Sequence, residues 1–128
     1  MKHLLDVNVV VSLLLAVHPH HDRARSWLLS LRGDTLLLTP WVEIGFLRVG
    51  LQTRLLPDLA TGQKLLQGFP TAAARLVRIA DNSRAAALPS WVSTAAHLGD
   101  GHLSALAVTQ GARLTTFDQG IPEAYLIP

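Results

Sequence analysis

The sequence predicts an α/β domain whose sheet is mostly parallel and covered by helices on both faces. Short apolar stretches of strand length recur along the chain, and helical patterns lie between them. Parallel strands need crossover connections of this kind, and they are buried on both faces. Apolar residues make up 49% of the 128 residues, which is enough for one core. Because no repeat, low-complexity tract or linker interrupts the chain, residues 1–128 are assigned to a single domain.

The predicted strands are short apolar segments that end in polar residues. One segment is ambiguous: residues 71–83 fit a helix because of their alanines, or a strand at residues 76–79. The other predicted strands are residues 2–7, which end at Asp6 or Val7, residues 34–39 (DTLLLT), residues 112–118 (ARLTTFD) and a short edge strand at 125–128 (YLIP).

The helices are predicted from apolar periodicity and from residues that begin or end helices. The predicted helices are residues 8–17 with Asn8 as N-cap, an amphipathic helix that ends at Gly33, a helix from Pro40 to about residue 51, residues 61–67, residues 85–88, residues 90–98, and a helix that begins at Asp100 and is closed by Gly111.

Charge and cysteine content limit the compartment and the partners. The net charge is +2, and nine of the eleven basic residues are Arg, which suits contact with phosphate. The absence of Cys excludes disulfides and thiolate metal sites, and fits a cytoplasmic protein. The apolar N-terminal run contains Asp6 and Asn8 and is too short to span a bilayer, so we expect no membrane association.

Only nine acidic residues occur, and five of them have local explanations as helix caps, turn residues or partners of nearby Arg. Asp81, for example, lies three residues from both Arg78 and Arg84. The five are Asp22, Asp34, Asp58, Asp81 and Glu123.

The other four acids, Asp6, Glu43, Asp100 and Asp118, lie in apolar segments without such partners. Asp6 and Asp118 end predicted strands, and the other two lie near helix starts. Ligands of open parallel sheets bind beyond the carboxyl ends of the strands, so we expect the four around one edge. Each alone could be a helix cap. Together they would repel one another, and oxygen ligands favour Mg²⁺ or Mn²⁺ among them.

Aromatic and histidine residues have two interpretations each. The loop HPHH (residues 18–21) is predicted to be a surface loop and helix start, with metal or RNA contact as the alternative. His97 and His102 flank Asp100 and are predicted to be solvated. The three tryptophans, Trp27, Trp41 and Trp91, lie in amphipathic patterns and are predicted to pack in the core rather than to stack on bases.

Four segments, LLDVNV, WVEIGFLRV, DGHLSALA and LTTFD, resemble in this order the motifs of PIN domains. More narrowly they resemble the VapC-type ribonuclease toxins of bacterial toxin–antitoxin pairs. HPHHDRARSWL and the closing LIP are also similar to that family, whereas residues 57–98 match none of its motifs.

The resemblance implies a PIN-like three-layer α/β/α fold with about five parallel strands, and RNA cleavage that depends on Mg²⁺ or Mn²⁺. It also implies homodimers and a small antitoxin that blocks the site. Carried over, the resemblance makes Asp6, Glu43, Asp100 and Asp118 the catalytic, metal-binding acids, with Asp6 and Asp100 as the first direct ligands. Asn8 and Thr116 would support them.

Two other phosphate-chemistry classes fail on residues read directly from the sequence. A phosphotransfer receiver domain needs an adjacent acidic pair and a Lys after a late strand, but the two Lys are Lys2 and Lys64. An aspartate-nucleophile phosphatase needs two Asp spaced by one residue, and here the second is Asn8. A PIN-fold nuclease of RNA processing and a non-catalytic nucleic-acid-binding module stay open as alternatives. The RNA target, whether tRNA, rRNA or mRNA, also stays open.

Overall fold

The computed structural model describes residues 1–71 and 74–128, and within them strands and helices alternate. The strands are β1 (Lys2–Leu5), β2 (Thr35–Leu38), β3 (Arg75–Arg78), β4 (Arg113–Thr116) and β5 (Tyr125–Leu126). The α-helices are α1 (Val7–Leu14), α2 (His21–Ser30), α3 (Pro40–Gln52), α4 (Leu59–Gln67) and α5 (Leu98–Thr109), with 3₁₀ turns at Ala85–Ala87 and Ala95–His97.

The five strands form one sheet in the order β3-β2-β1-β4-β5, and every pairing is parallel. The chain builds the sheet outward from β1 to β3 on one side and then continues with β4 and β5 on the other side. Strand order therefore reverses beside β1, which is where open α/β sheets place their ligands. This sheet and its covering helices confirm the predicted three-layer α/β/α class. In the ambiguous segment the structure has strand β3 at Arg75–Arg78, while residues 72–73 lie outside the described part of the chain.

The core lies on both faces of the central strands. Leu4 and Leu5 of β1 and Leu36 and Leu38 of β2 are fully buried. From α1, Val9 and Val10 are fully buried as well, and this helix packs against α2 and α3. Helix α5 packs against β4 and β1. None of the helices in the described part of the chain is long and apolar enough to cross a membrane.

The structure corrects several predicted element boundaries. Helix α1 begins at Val7 and its N-cap is Asp6, so the prediction that Asn8 caps it is wrong. Helix α5 begins at Leu98, two residues before the predicted start at Asp100. Only 3₁₀ turns form where helices were predicted at 85–88 and 90–98, on either side of the helix-breaking Pro89.

The tryptophans differ in burial. Trp27 is buried and Trp91 is partly buried against the core, as predicted. Trp41 has 51% of its surface exposed, so the prediction that it packs in the core is wrong. The reason is that α3 is apolar around more of its circumference than one buried face requires: Ile44 and Leu51 are exposed on it as well.

A buried histidine connects β1 with its neighbours. His3 is 1% exposed, and its Nδ1 lies 2.8 Å from the Thr115 hydroxyl while its Nε2 lies 3.4 Å from an Asp34 oxygen. Its ring packs edge-on against Trp27 and Tyr125. Burial lowers the pKa of His3, and the Asp34 carboxylate only partly opposes this shift.

We predict that His3 makes the fold sensitive to mild acid. Its ordinary pKa is 6.5, and because the folded state lowers it, the unfolded chain takes up the proton first as pH falls through that value. The free energy of unfolding, measured with urea at pH 7.5 and 5.5, should therefore decrease more for the wild type than for His3→Gln. An equal decrease in both proteins would contradict the prediction.

Candidate acidic site

The carboxyl ends of β1 and β4 bring two of the predicted acids to the same edge of the sheet. Leu5 of β1 is opposite Thr115 of β4, so the next residues, Asp6 and Thr116, are also side by side. The Asp6 amide donates to the Thr115 carbonyl at 3.0 Å. Asp118 follows two residues after the end of β4. The strand pairing thus determines where these side chains meet.

Asp6 lies almost fully buried at the start of α1 because several donors surround its carboxylate. Its Oδ1 accepts from the Val7 amide at 2.7 Å and so caps the helix. Its Oδ2 accepts from the Thr116 hydroxyl at 2.7 Å and, more weakly, from the Asn8 side-chain amide at 3.4 Å. These bonds explain how one carboxylate is accommodated within the long apolar N-terminal run.

The Thr116 hydroxyl is the common partner of the polar residues around Asp6. It donates to Asp6 and accepts from the Asn8 amide and from the Asp118 backbone amide, each at 3.0 Å. The Asn8 side-chain oxygen in turn accepts from the Phe117 amide at 3.2 Å. Asn8 and Thr116 therefore hold the Asp6 carboxylate and the chain at Asp118 in fixed positions, although Asn8 does not cap a helix.

Three acids influence one another electrostatically. Burial raises the pKa of Asp6 most, the bonds from Thr116 and Val7 oppose the shift, and the charges of Asp100 and Asp118 raise it further. Burial also raises the pKa of Asp100, the Asp118 charge adds to the increase, and His97 opposes it. Within the described residues none of the three forms an ion pair with Lys or Arg. The edge beside β1 is therefore a site of uncompensated negative charge.

Glu43 differs from the other three acids. Its Oε1 lies 3.6 Å from the Arg78 Nε, which contradicts the expectation that it has no basic partner. The cause is strand pairing: Arg78 of β3 is opposite Leu38 of β2, directly before α3 begins. Within residues 1–71 and 74–128, no three His, Asp or Glu side chains are placed to hold one ion together. Glu43 therefore lies in an ion pair apart from the other three acids, and the assignment of all four to one metal site stays a prediction.

One polar pair near this edge was missed by the sequence analysis. Asp81, which follows β3, hydrogen-bonds His102 on α5 and accepts from the Ser83 amide at 3.0 Å, rather than pairing with Arg78 or Arg84. Burial alone would raise the pKa of Asp81, but the bonds from Ser83 and His102 together lower it. An acid shortly after a predicted strand is the pattern that identifies Asp6 and Asp118. The same pattern does not identify Asp81, because the sequence leaves open whether the segment before it is a strand or a helix.

The HPHH segment forms the predicted loop and helix start, and it packs against Phe117, the residue before Asp118. His20 stacks on the Phe117 ring with 4.8 Å between ring centres, and the Arg23 guanidinium lies 5.0 Å from the same ring centre. The His18 Nδ1 accepts from the His20 amide at 3.1 Å. Burial lowers the pKa of His18, and the nearby His20 and His21 lower it further. These contacts anchor the loop that borders the acidic site.

Comparison with known proteins identifies the family. No protein-family model matches the chain. Ribonuclease VapC38 of Mycobacterium tuberculosis (strain ATCC 25618 / H37Rv) is 31% identical to it over 121 residues, which cover 92% of this chain and 86% of that protein. The chain belongs to the VapC ribonuclease family. Ribonuclease VapC39 of the same strain is 27% identical over 140 residues, covering 97% of this chain and 94% of the relative.

Two solved VapC-family structures share the fold. The M. tuberculosis toxin VapC20, which cleaves the sarcin–ricin loop, superposes with a TM-score of 0.68 and 9% identity over 98% of this chain and 99% of that one. VapBC2 from Rickettsia felis, bound to a DNA fragment from its promoter, gives a TM-score of 0.60 and 16% identity over 98% and 97% of the two chains. At these identities the likeness concerns the fold, and it confirms the predicted PIN-like class.

We predict that the Thr116 hydroxyl stabilises the fold as well as the site. Thr116→Val removes the shared partner of Asp6, Asn8 and the Asp118 amide, and a buried unpaired group costs about 1–3 kcal/mol. Urea unfolding should show a loss of this size, while Thr116→Ser keeps the hydroxyl and most of the stability. Equal losses for the two variants would show that the methyl group, not the hydrogen bonds, is responsible.

Proposed function

We propose that this chain is the toxin endoribonuclease of a toxin–antitoxin pair and that it cleaves RNA phosphodiester bonds at the acidic edge beside β1. The observation that carries the proposal is the placement of Asp6, Asp100 and Asp118 at one edge of the sheet, with the Thr116 hydroxyl bonded to both the Asp6 carboxylate and the Asp118 amide. Burial raises the pKa of Asp6 and of Asp100, and the neighbouring carboxylates raise both further. Groups of acids with shifted pKa values are typical of catalytic sites. Membership in the VapC ribonuclease family supports the same activity.

The proposed cofactor is Mg²⁺ or Mn²⁺. The donor set fits such an ion, since carboxylate oxygens are its preferred ligands and the positive charge would offset the repulsion among the aspartates. Asp6 and Asp100 are the proposed direct ligands, a pair that agrees with the finding that no three described side chains are placed to hold one ion. Asp118 and Glu43, the latter beside Arg78, are the remaining acids of the proposed set. When bound, a divalent ion lowers the pKa of water and stabilises negative charge that develops on phosphate oxygens.

The chain's own residues orient the site and bind substrate in this proposal. Thr116 and Asn8 fix the Asp6 carboxylate, so its position does not have to be organised during the reaction. The basic excess of the chain, mostly Arg, favours the RNA backbone, with an affinity that should fall as salt rises. Attack by water on phosphorus leaves a 3′-hydroxyl on one product and a 5′-phosphate on the other.

The proposed partners are the RNA substrate, a small antitoxin protein and a second copy of the chain. The motif resemblance implies all three, and the solved VapBC2 assembly, bound to promoter DNA, supports a partner protein of this kind. We also propose that the protein acts in the cytoplasm, where RNA is present.

We predict that Asp6→Asn and Asp100→Asn each reduce RNA cleavage at least about 100-fold, since even residues behind metal ligands commonly contribute 10–100-fold. Both variants should remain folded. Cleavage of total RNA by purified protein would be measured with Mg²⁺ or Mn²⁺ and with EDTA, and the product ends would be sequenced.

Asp58→Asn is the matched control for this experiment. Asp58 caps α4 by accepting from the Thr61 amide at 2.8 Å, a role that Asn also performs, and it is exposed. The same charge is therefore removed away from the acidic edge, and activity should be unchanged. Full activity of Asp6→Asn at matched metal concentration would contradict the proposed mechanism.

A further inference from the structure

We propose that the exposed indole of Trp41 is a stacking platform for a nucleobase of the RNA strand, beside the acidic edge. This inference rests on the proposed ribonuclease function and deepens it by naming a substrate contact. Aromatic side chains bind single-stranded nucleic acid with little sequence preference, because every base has a face on which to stack. Three observations about Trp41 support the inference: its exposure, its fixed position and the groove beside it.

Trp41 is exposed and close to the acidic edge. It is the second residue of α3, and 51% of its surface is accessible. On its other side the indole borders the first turn of α5, because a Cβ placed on Gly99 would lie 3.7 Å from the Trp41 Cζ2. Gly99 directly precedes Asp100, one of the three mutually repelling acids. A base stacked on Trp41 would therefore lie next to the proposed site of cleavage.

The indole is held in place by the polar pair that the sequence analysis missed. The His102 ring lies 5.5 Å from the Trp41 ring, centre to centre, and tilted by 55°. Asp81 hydrogen-bonds His102 and is itself fixed by the Ser83 amide. His102 of α5, itself held by Asp81, thus packs against the indole, while about half of the Trp41 surface (51%) stays exposed. A preorganised aromatic face loses little conformational freedom when a ligand binds it.

A groove continues from Trp41 along α3. It has a volume of about 560 Å³, and Trp41, Ile44, Arg48 and Asp81 contribute to its walls. Ile44 is exposed and apolar, and Arg48 is exposed and cationic. An apolar wall for a base and a cation for a phosphate match the chemistry of a nucleic acid strand. Because Trp41 lines this groove and also borders Gly99, the residue before Asp100, RNA is the occupant that the arrangement favours.

The test measures RNA binding by three variants. Trp41→Ala removes the indole, Trp41→Phe keeps an aromatic face, and Leu51→Ala removes another exposed apolar side chain of the same helix that does not line the groove. Binding of fluorescently labelled single-stranded oligoribonucleotides, A₂₀ and U₂₀, would be measured by anisotropy in EDTA, which prevents metal-dependent cleavage. Trp41→Ala should weaken binding at least about fivefold, while Trp41→Phe and Leu51→Ala should stay within about twofold of the wild type.

Two results would overturn the inference. One is equal binding by the wild type and Trp41→Ala, including no measurable binding by either. The other is a parallel loss in Trp41→Ala and Leu51→Ala, accompanied by a changed oligomeric state in light scattering, since this would show that a second copy of the chain covers the exposed apolar face of α3.

The same proteins separate this inference from the proposed function. If cleavage requires Asp6 while Trp41→Ala binds and cleaves like the wild type, only the stacking platform is wrong. If the wild type cleaves no RNA with Mg²⁺ or Mn²⁺ but its binding depends on Trp41, the ribonuclease proposal is wrong and the platform is supported. If the ribonuclease proposal and the stacking inference are both correct, Trp41→Ala raises KM for RNA by a larger factor than it lowers kcat.

Discussion

The hydrogen bond between the Thr116 hydroxyl and the Asp6 carboxylate is the interaction on which the rest of the site depends. Asp6 follows the central strand and is almost fully buried, and an unpaired carboxylate there would lose its charge or destabilise the fold. The Thr116 hydroxyl and the Val7 amide supply the hydrogen-bond donors that stabilise the charged Asp6 carboxylate. Because Thr116 is the last residue of β4, the bond also connects β4 with the end of β1, where the strand order reverses.

The carboxyl edge of the sheet has a part where acids are unpaired and a part where an acid is paired with an arginine. Beside β1 and β4, Asp6, Asp100 and Asp118 repel one another without a basic partner among the described residues. Farther along the edge, beside β2 and β3, Glu43 is paired with Arg78. The repulsion beside β1 and β4 favours a cation there, whereas the Arg78 charge is already offset by Glu43.

The sequence predicted the fold and the strand-end acids because those depend on local patterns. Apolar runs located β1, β2 and β4, and an acid after a strand located Asp6 and Asp118. The pairing of Glu43 with Arg78 was not predictable from residue spacing, since it follows from β3 lying next to β2.

Asp81 and Trp41 are two further residues whose surroundings could not be predicted from residue spacing. Asp81 had a partner within three residues in the sequence, yet it hydrogen-bonds His102, which lies on a distant helix. Trp41 fitted an amphipathic pattern, but a helix with apolar residues on several faces does not reveal from sequence which of them stay in solvent. Contacts between separate elements therefore had to come from the structure.

Direct measurement of Mn²⁺ binding by isothermal titration calorimetry tests the central claim, that the repelling aspartates form a cation site. The account predicts that the wild type and Asp58→Asn bind the ion alike, and that Asp6→Asn and Asp100→Asn each lose most of this binding without loss of fold. Unaltered binding by Asp6→Asn and Asp100→Asn would contradict it.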